Sequence, residues 1–191
     1  MSVMPIRGNM QRRPFLAPIG LALLSALAAM LAVAAIAWLL LTAGSTTIVI
    51  VRHAEVAQNG TADPPLSADG QARAALLARM FGDPRLPDHI DAIYVSPALR
   101  NRSTAEPLAA RLGITPTVAP QDDPRALARR ILHQHRGGRI LVVGHSDTVP
   151  AIIAALSGRR DIPPIRPDEY DAMYIIAVPL VGQADLLSLR Y

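Results

Sequence analysis

Thirty consecutive residues without a charge, Phe15 to Gly44 (FLAPIGLALLSALAAMLAVAAIAWLLLTAG), limit this chain more than any other feature. As a helix they extend about 45 Å at about 1.5 Å per residue, enough to cross a hydrocarbon core of about 30 Å with tilt to spare. A cleavable secretory h-region is shorter, about 7–15 residues, so the sequence predicts an uncleaved transmembrane anchor over 15–43. Arg7, Arg12 and Arg13 precede it, and no basic residue comes after it before Arg52. The positive-inside rule then holds residues 1–14 in the cytoplasm and sends the rest across the inner membrane. The expectation is a single-pass protein whose domain lies on the extracytoplasmic, periplasmic side. Arg12 to Leu16 (RRPFL) also has the form of a twin-arginine export signal, which changes the route and not the destination.

Beyond the anchor, residues 46–191 are enough for one ordinary domain. The formal net charge is +4. Three of those charges precede the apolar segment, so the domain is nearly neutral and carries no bulk electrostatic signal for nucleic acid. There is no cysteine, which excludes disulfides, thiol catalysis and zinc–cysteine sites.

Apolar, β-branched runs recur at 47–51 (TIVIV), 90–95 (IDAIYV), 139–143 (RILVV), 173–178 (MYIIAV) and 185–191 (DLLSLRY). A weaker one at 114–118 (ITPTV) is demoted to an edge or a loop by Pro116. Between them lie helical patterns at 67–81, 99–113, 123–135 and 147–158. The first has Ser67 as N-cap and Ala72, Leu76, Leu77 and Met80 on one face. In the second, Pro107 implies a kink or a late start. Alternating strands and helices predict an α/β three-layer sandwich, a mostly parallel sheet with helices on both faces. The last two runs predict a hairpin at one edge.

Three of the strand patterns run directly into cationic or imidazole groups: Arg52 and His53 after 47–51, Arg100 shortly after 90–95, and His145 after 139–143. In an open α/β sheet, ligands bind beyond the carboxyl ends of the strands. Two guanidiniums delivered to one place repel unless an anion sits between them, and guanidinium is shaped to grip phosphate. A neutral His53 imidazole is then suited to attack phosphorus, with Arg52, Arg100 and His145 offsetting the charge that spreads over the equatorial oxygens.

These residues resemble the histidine phosphatase superfamily, also called phosphoglycerate mutase-like. The similarity lies in VRHAE (51–55), with Ala54 in place of the commoner glycine, PLSADGQARA (65–74), VSPALRNRSTA (95–105) and VVGHSDTVP (142–150), in that order. The resemblance implies that His53 is the nucleophile and that Arg52, Arg100 and His145 complete the phosphate pocket, with no cofactor. It departs from the family after Arg100, where Ser103 and Thr104 stand in place of a glutamine–threonine pair. No motif fixes the general acid: Asp147 is preferred over Asp122, Asp123 and Glu55.

The expected activity is metal-independent hydrolysis of a small extracytoplasmic phosphoester, a sugar phosphate or an envelope glycolipid phosphate. Three other readings compete. One is a phosphate-binding module without turnover, and another a phosphohistidine protein phosphatase if the domain is cytoplasmic. The third is a metal site built from His53, Glu55, His145 and Asp147, which adjacent arginines would disfavour by repelling the cation. The irregular stretch 157–171 reads as a proline-stiffened connection, or as a wall of the substrate mouth to which Arg159, Arg160 or Arg166 adds charge. Gly60 to Pro65 is a candidate rim loop.

Overall fold

The computed structural model describes residues 17–42, 44–86 and 89–191. Arg7, Arg12 and Arg13, on which the predicted topology rests, lie outside them, as do residues 15, 16 and 43 of the predicted anchor. The chain divides into two compact units between residues 42 and 43. The first contains helix α1, Ala17–Thr42. Its stretch Gly20–Trp38 is long and apolar enough to cross a membrane, with a mean hydropathy of 2.4 and none of it buried by protein. A signal sequence near an N-terminus satisfies the same criterion.

The second unit is an α/β sandwich. Its strands are β1 (Thr46–Arg52), β2 (Ala92–Val95), β3 (Thr117–Val118), β4 (Arg139–Gly144), β5 (Ala172–Val178) and β6 (Asp185–Arg190). They form one sheet in the order β3-β2-β4-β1-β5-β6. β1, β2, β3 and β4 are mutually parallel. β5 runs antiparallel to β1, and β6 antiparallel to β5. As the sequence predicts, the last two strands are an edge hairpin and the segment containing Pro116 supplies only a two-residue edge strand.

Side chains alternate across a strand, so β1 feeds two cores. Ile48 and Ile50 pack with Tyr94, Ile140 and Val142 on one face, under helices α4 (Pro124–Gln134) and α5 (Thr148–Ser157). Val49 and Val51 pack with Ile93, Leu141 and Val143 on the other, under α2 (Ala68–Phe81) and α3 (Leu99–Leu112). Burial on both faces is why the central strands read as unbroken apolar runs rather than as alternating patterns.

Two helices differ from the sequence expectation. In α2 the Ser67 side chain does accept the Gly70 N–H, but the buried face is Gly70, Ala74, Leu77 and Ala78, while Ala72 and Met80 are exposed. The phase is set by Gly70: a Cβ there would collide with the Glu55 carbonyl oxygen, so the backbone itself packs against the segment after β1. α3 begins at Leu99 without delay and runs through Pro107 to Gly113, whose φ of 67° turns its N–H back onto the carbonyls of Ala109 and Ala110. The proline removes one intrahelical hydrogen bond and does not end the helix.

Candidate active site

β1 delivers Arg52 and His53 to the carboxyl edge of the sheet, where the His53 N–H continues the pairing by donating to the Gly144 carbonyl at 2.9 Å. β4 delivers His145 beside it, and the two rings lie edge to face with centroids 5.4 Å apart. Arg100 stands in the first turn of α3, close enough for its charge to lower the proton affinity of both imidazoles. His145 is further fixed by a Nε2–Ser96 Oγ contact at 2.9 Å and by its own N–H, which donates to Thr148 Oγ1.

His53 is buried, and its Nδ1 lies 2.9 Å from the Ala54 carbonyl oxygen. A carbonyl can only accept, so Nδ1 carries the proton and the neutral ring presents its lone pair at Nε2. Burial lowers the His53 pKa to about 4, helped by Arg52, Arg100 and His145 and opposed by the bond to Ala54. The His145 pKa is lowered too, by burial and by Arg100, with Asp147 acting in the opposite sense.

Arg52 is held in an unusual way for a buried cation. Its Nη1 points at three main-chain carbonyls, those of Arg166 (3.0 Å), Pro167 (2.9 Å) and Glu169 (3.1 Å). Its guanidinium carbon sits 4.0 Å from the centre of the Tyr170 ring. Nε is buried without a hydrogen-bond partner. Carbonyls and a ring face orient the charge without neutralising it, so its attraction for an anion is preserved.

The sequence model of the histidine phosphatase superfamily (branch 1) matches residues 48–123. Over that stretch the chain is similar to the histidine phosphatase superfamily. No curated protein matches it. Among solved structures, the protein histidine phosphatase SixA complexed with tungstate is 20% identical with a TM-score of 0.63, covering 75% of this chain and 96% of that one. A mycobacterial glucosyl-3-phosphoglycerate phosphatase is 15% identical with a TM-score of 0.59, covering 74% and 97%. A protein described as mycobacterial hydrolase 1 is 16% identical with a TM-score of 0.62, covering 77% and 99%. At these identities the likeness is one of fold.

The domain thus gathers Arg52, His53, Arg100 and His145 at one edge of its sheet. Of the carboxylates considered for the general acid, Asp147 is exposed and caps α5, its Oδ1 accepting the Thr148 N–H. Asp123 caps α4 by accepting the Ala126 N–H, and it and Asp122 border a cleft between α4 and α5. Glu55 is held by Arg73, which donates from Nε to both carboxylate oxygens and from Nη2 to one. Burial alone would raise the Glu55 pKa, but the Arg73 hydrogen bonds, a main-chain hydrogen bond and the charges of Arg73 and Arg52 together outweigh it and lower the pKa.

Several site residues escape sequence reasoning. Thr104 is fully buried; its Oγ1 accepts the Ala54 N–H and donates to the Arg100 carbonyl, tying the two motifs together. Asn101 donates from Nδ2 to the carbonyls of Val143 and Gly144, and Gln121 from Nε2 to that of Val143. The connection 157–171 does wall the site, through three carbonyls and Tyr170. Arg159 and Arg166 instead pair with Asp161 and Asp168. Asp63, in the rim loop, accepts hydrogen bonds from the Leu99 N–H and from Arg100 Nη1.

Proposed function

We propose that the domain is a metal-independent phosphohydrolase that forms and hydrolyses a phosphohistidine at His53. The observation that carries this reading is a neutral imidazole with its Nε2 lone pair free, flanked by two guanidiniums and a second imidazole. Nε2 attacks phosphorus as the P–O bond to the leaving group breaks, and Arg52, Arg100 and His145 stabilise the equatorial oxygens. Water then attacks the phosphohistidine, releasing inorganic phosphate and returning the lone pair to Nε2. The arginine charges that add to the lowering of both histidine pKa values by burial would also repel a metal dication.

The leaving alcohol takes a proton, and Asp147, whose charge reaches His145, is the proposed donor. The substrate is proposed to be a small extracytoplasmic phosphoester, a sugar phosphate or an envelope glycolipid phosphate, in keeping with a domain that comes after an apolar helix of membrane-spanning length. A second reading, dephosphorylation of phosphohistidine on a protein, is favoured by the likeness to SixA over nearly the whole of that chain.

Turnover of an activated aryl phosphate tests the chemistry, because a phenolate with a low pKa leaves without assistance. His53→Ala should lower kcat/KM by at least about 10³-fold, and denaturing the wild type in alkali during turnover should trap phosphate on His53. Equal rates for wild type and His53→Ala would remove the enzymatic reading and leave a binding module.

A further inference from the structure

The loop from Val56 to Leu66 is closed at its base by an antiparallel bridge between those residues and by the Ala57 N–H donating to the Pro65 carbonyl. Gly60, at φ 73°, and an Asn59 side chain that accepts both the N–H and the hydroxyl of Thr61 turn its tip. From this loop Asp63 reaches α3. Its Oδ2 accepts the Leu99 N–H at 2.8 Å and its Oδ1 accepts Arg100 Nη1 at 3.2 Å. Ala98, at the N-cap position of α3, has no side chain able to cap, so Asp63 supplies the cap from 36 positions away in sequence.

The two donors that Asp63 holds are of the kind a phosphoryl group needs: a helix N-terminal N–H and a guanidinium. One of them belongs to Arg100, whose charge already acts on His53 and His145. A carboxylate and a phosphate dianion cannot share that arginine without strong repulsion. The Arg52 side of the site has no such competitor, since carbonyls and the Tyr170 ring hold that guanidinium and its buried Nε has no partner.

We propose that Asp63 is a displaceable internal anion: it holds Arg100 and the start of α3 until a phosphoryl group takes them over, and the Val56–Leu66 loop is released as this happens. The proposal rests on the phosphatase reading of the same site. It makes Asp63 a positioning residue that sets oxyanion affinity. The apparent affinity of a ligand falls by the fraction of molecules in the binding-competent state, so the carboxylate weakens phosphate binding and speeds release of the product.

Direct binding of vanadate to the full chain in detergent, measured by calorimetry, tests this. Asp63→Asn keeps an oxygen to cap Leu99 and removes the charge on Arg100. It should lower the vanadate Kd by about 3- to 20-fold and lower KM for an aryl phosphate more than it changes kcat. An unchanged or higher Kd in Asp63→Asn, with binding by the wild type intact, would overturn the inference and leave the phosphatase reading in place. No vanadate binding by the wild type would overturn both. Hydrogen exchange on the wild type needs no variant to fold: vanadate should accelerate exchange over residues 57–65, and slower exchange there would likewise overturn the release of the loop.

Discussion

The structure treats Arg52 and Arg73, which meet the two ends of the segment 52–55, oppositely. Arg73 is saturated: it grips the Glu55 carboxylate from two nitrogens, donates from Nη1 to the Tyr191 carbonyl at 2.6 Å and lies against the Tyr191 ring. Arg52 meets three carbonyl oxygens and a ring face, and its Nε is left over. A buried cation that is neutralised serves the fold, because its field is spent on its partner. One that is oriented but not neutralised keeps its field for a ligand. The boundary between structure and chemistry passes between His53 and Glu55.

Arg52→Ala and Arg73→Ala should separate the two roles most widely. Loss of Arg52 should reduce kcat/KM for an aryl phosphate by about 10²- to 10³-fold. Loss of Arg73 leaves Glu55 without its partner and should cost about 1–3 kcal/mol in denaturant unfolding, with kcat/KM falling less than about tenfold. If both variants lost activity alike and neither lost stability, the distinction would fail.

Gly70→Ala probes the boundary from the structural side. Its methyl group would push the Glu55 carbonyl, two residues from His53, and should destabilise the domain by about 1–3 kcal/mol. Activity should fall together with stability, since the same backbone positions His53; a variant as stable as wild type would show that this approach is not close.

The smallest expected effect is a pH dependence. With a folded-state pKa of about 4 against an ordinary 6.5, His53 binds a proton more readily in the unfolded chain. Stability is therefore lost as pH falls from 6.5 towards 4, by about 1 kcal/mol at pH 5.5. Denaturant melts at pH 7 and 5.5 should show this loss in the wild type and less of it in His53→Gln, and the His53 ring resonance should titrate near pH 4. An inflection near 6.5 would mean that the ring is solvated.

The strands were legible because burial on both faces leaves unbroken apolar runs, and the site because cations directly after such runs have one place to go. Arg52, His53, Arg100 and His145 come from that logic. The buried face of α2 was not legible, since a glycine packing by its backbone sends no hydrophobic signal and shifts the phase away from Met80. Nor were Asp63, Gln121 and Tyr170. Each meets its partners across 22 to 118 positions of sequence, and several of the acceptors are main-chain oxygens. Pairing of that kind has no spacing to read.

The carbonyls of Arg166, Pro167 and Glu169 that hold Arg52 are the same atoms whatever side chains those positions bear. A stretch gripping in this way answers to curvature rather than spelling, so its residues can be exchanged freely as long as three oxygens still converge. Grafting an unrelated turn of equal shape would keep the arginine in place, while straightening this one, with every original residue retained, would let it go.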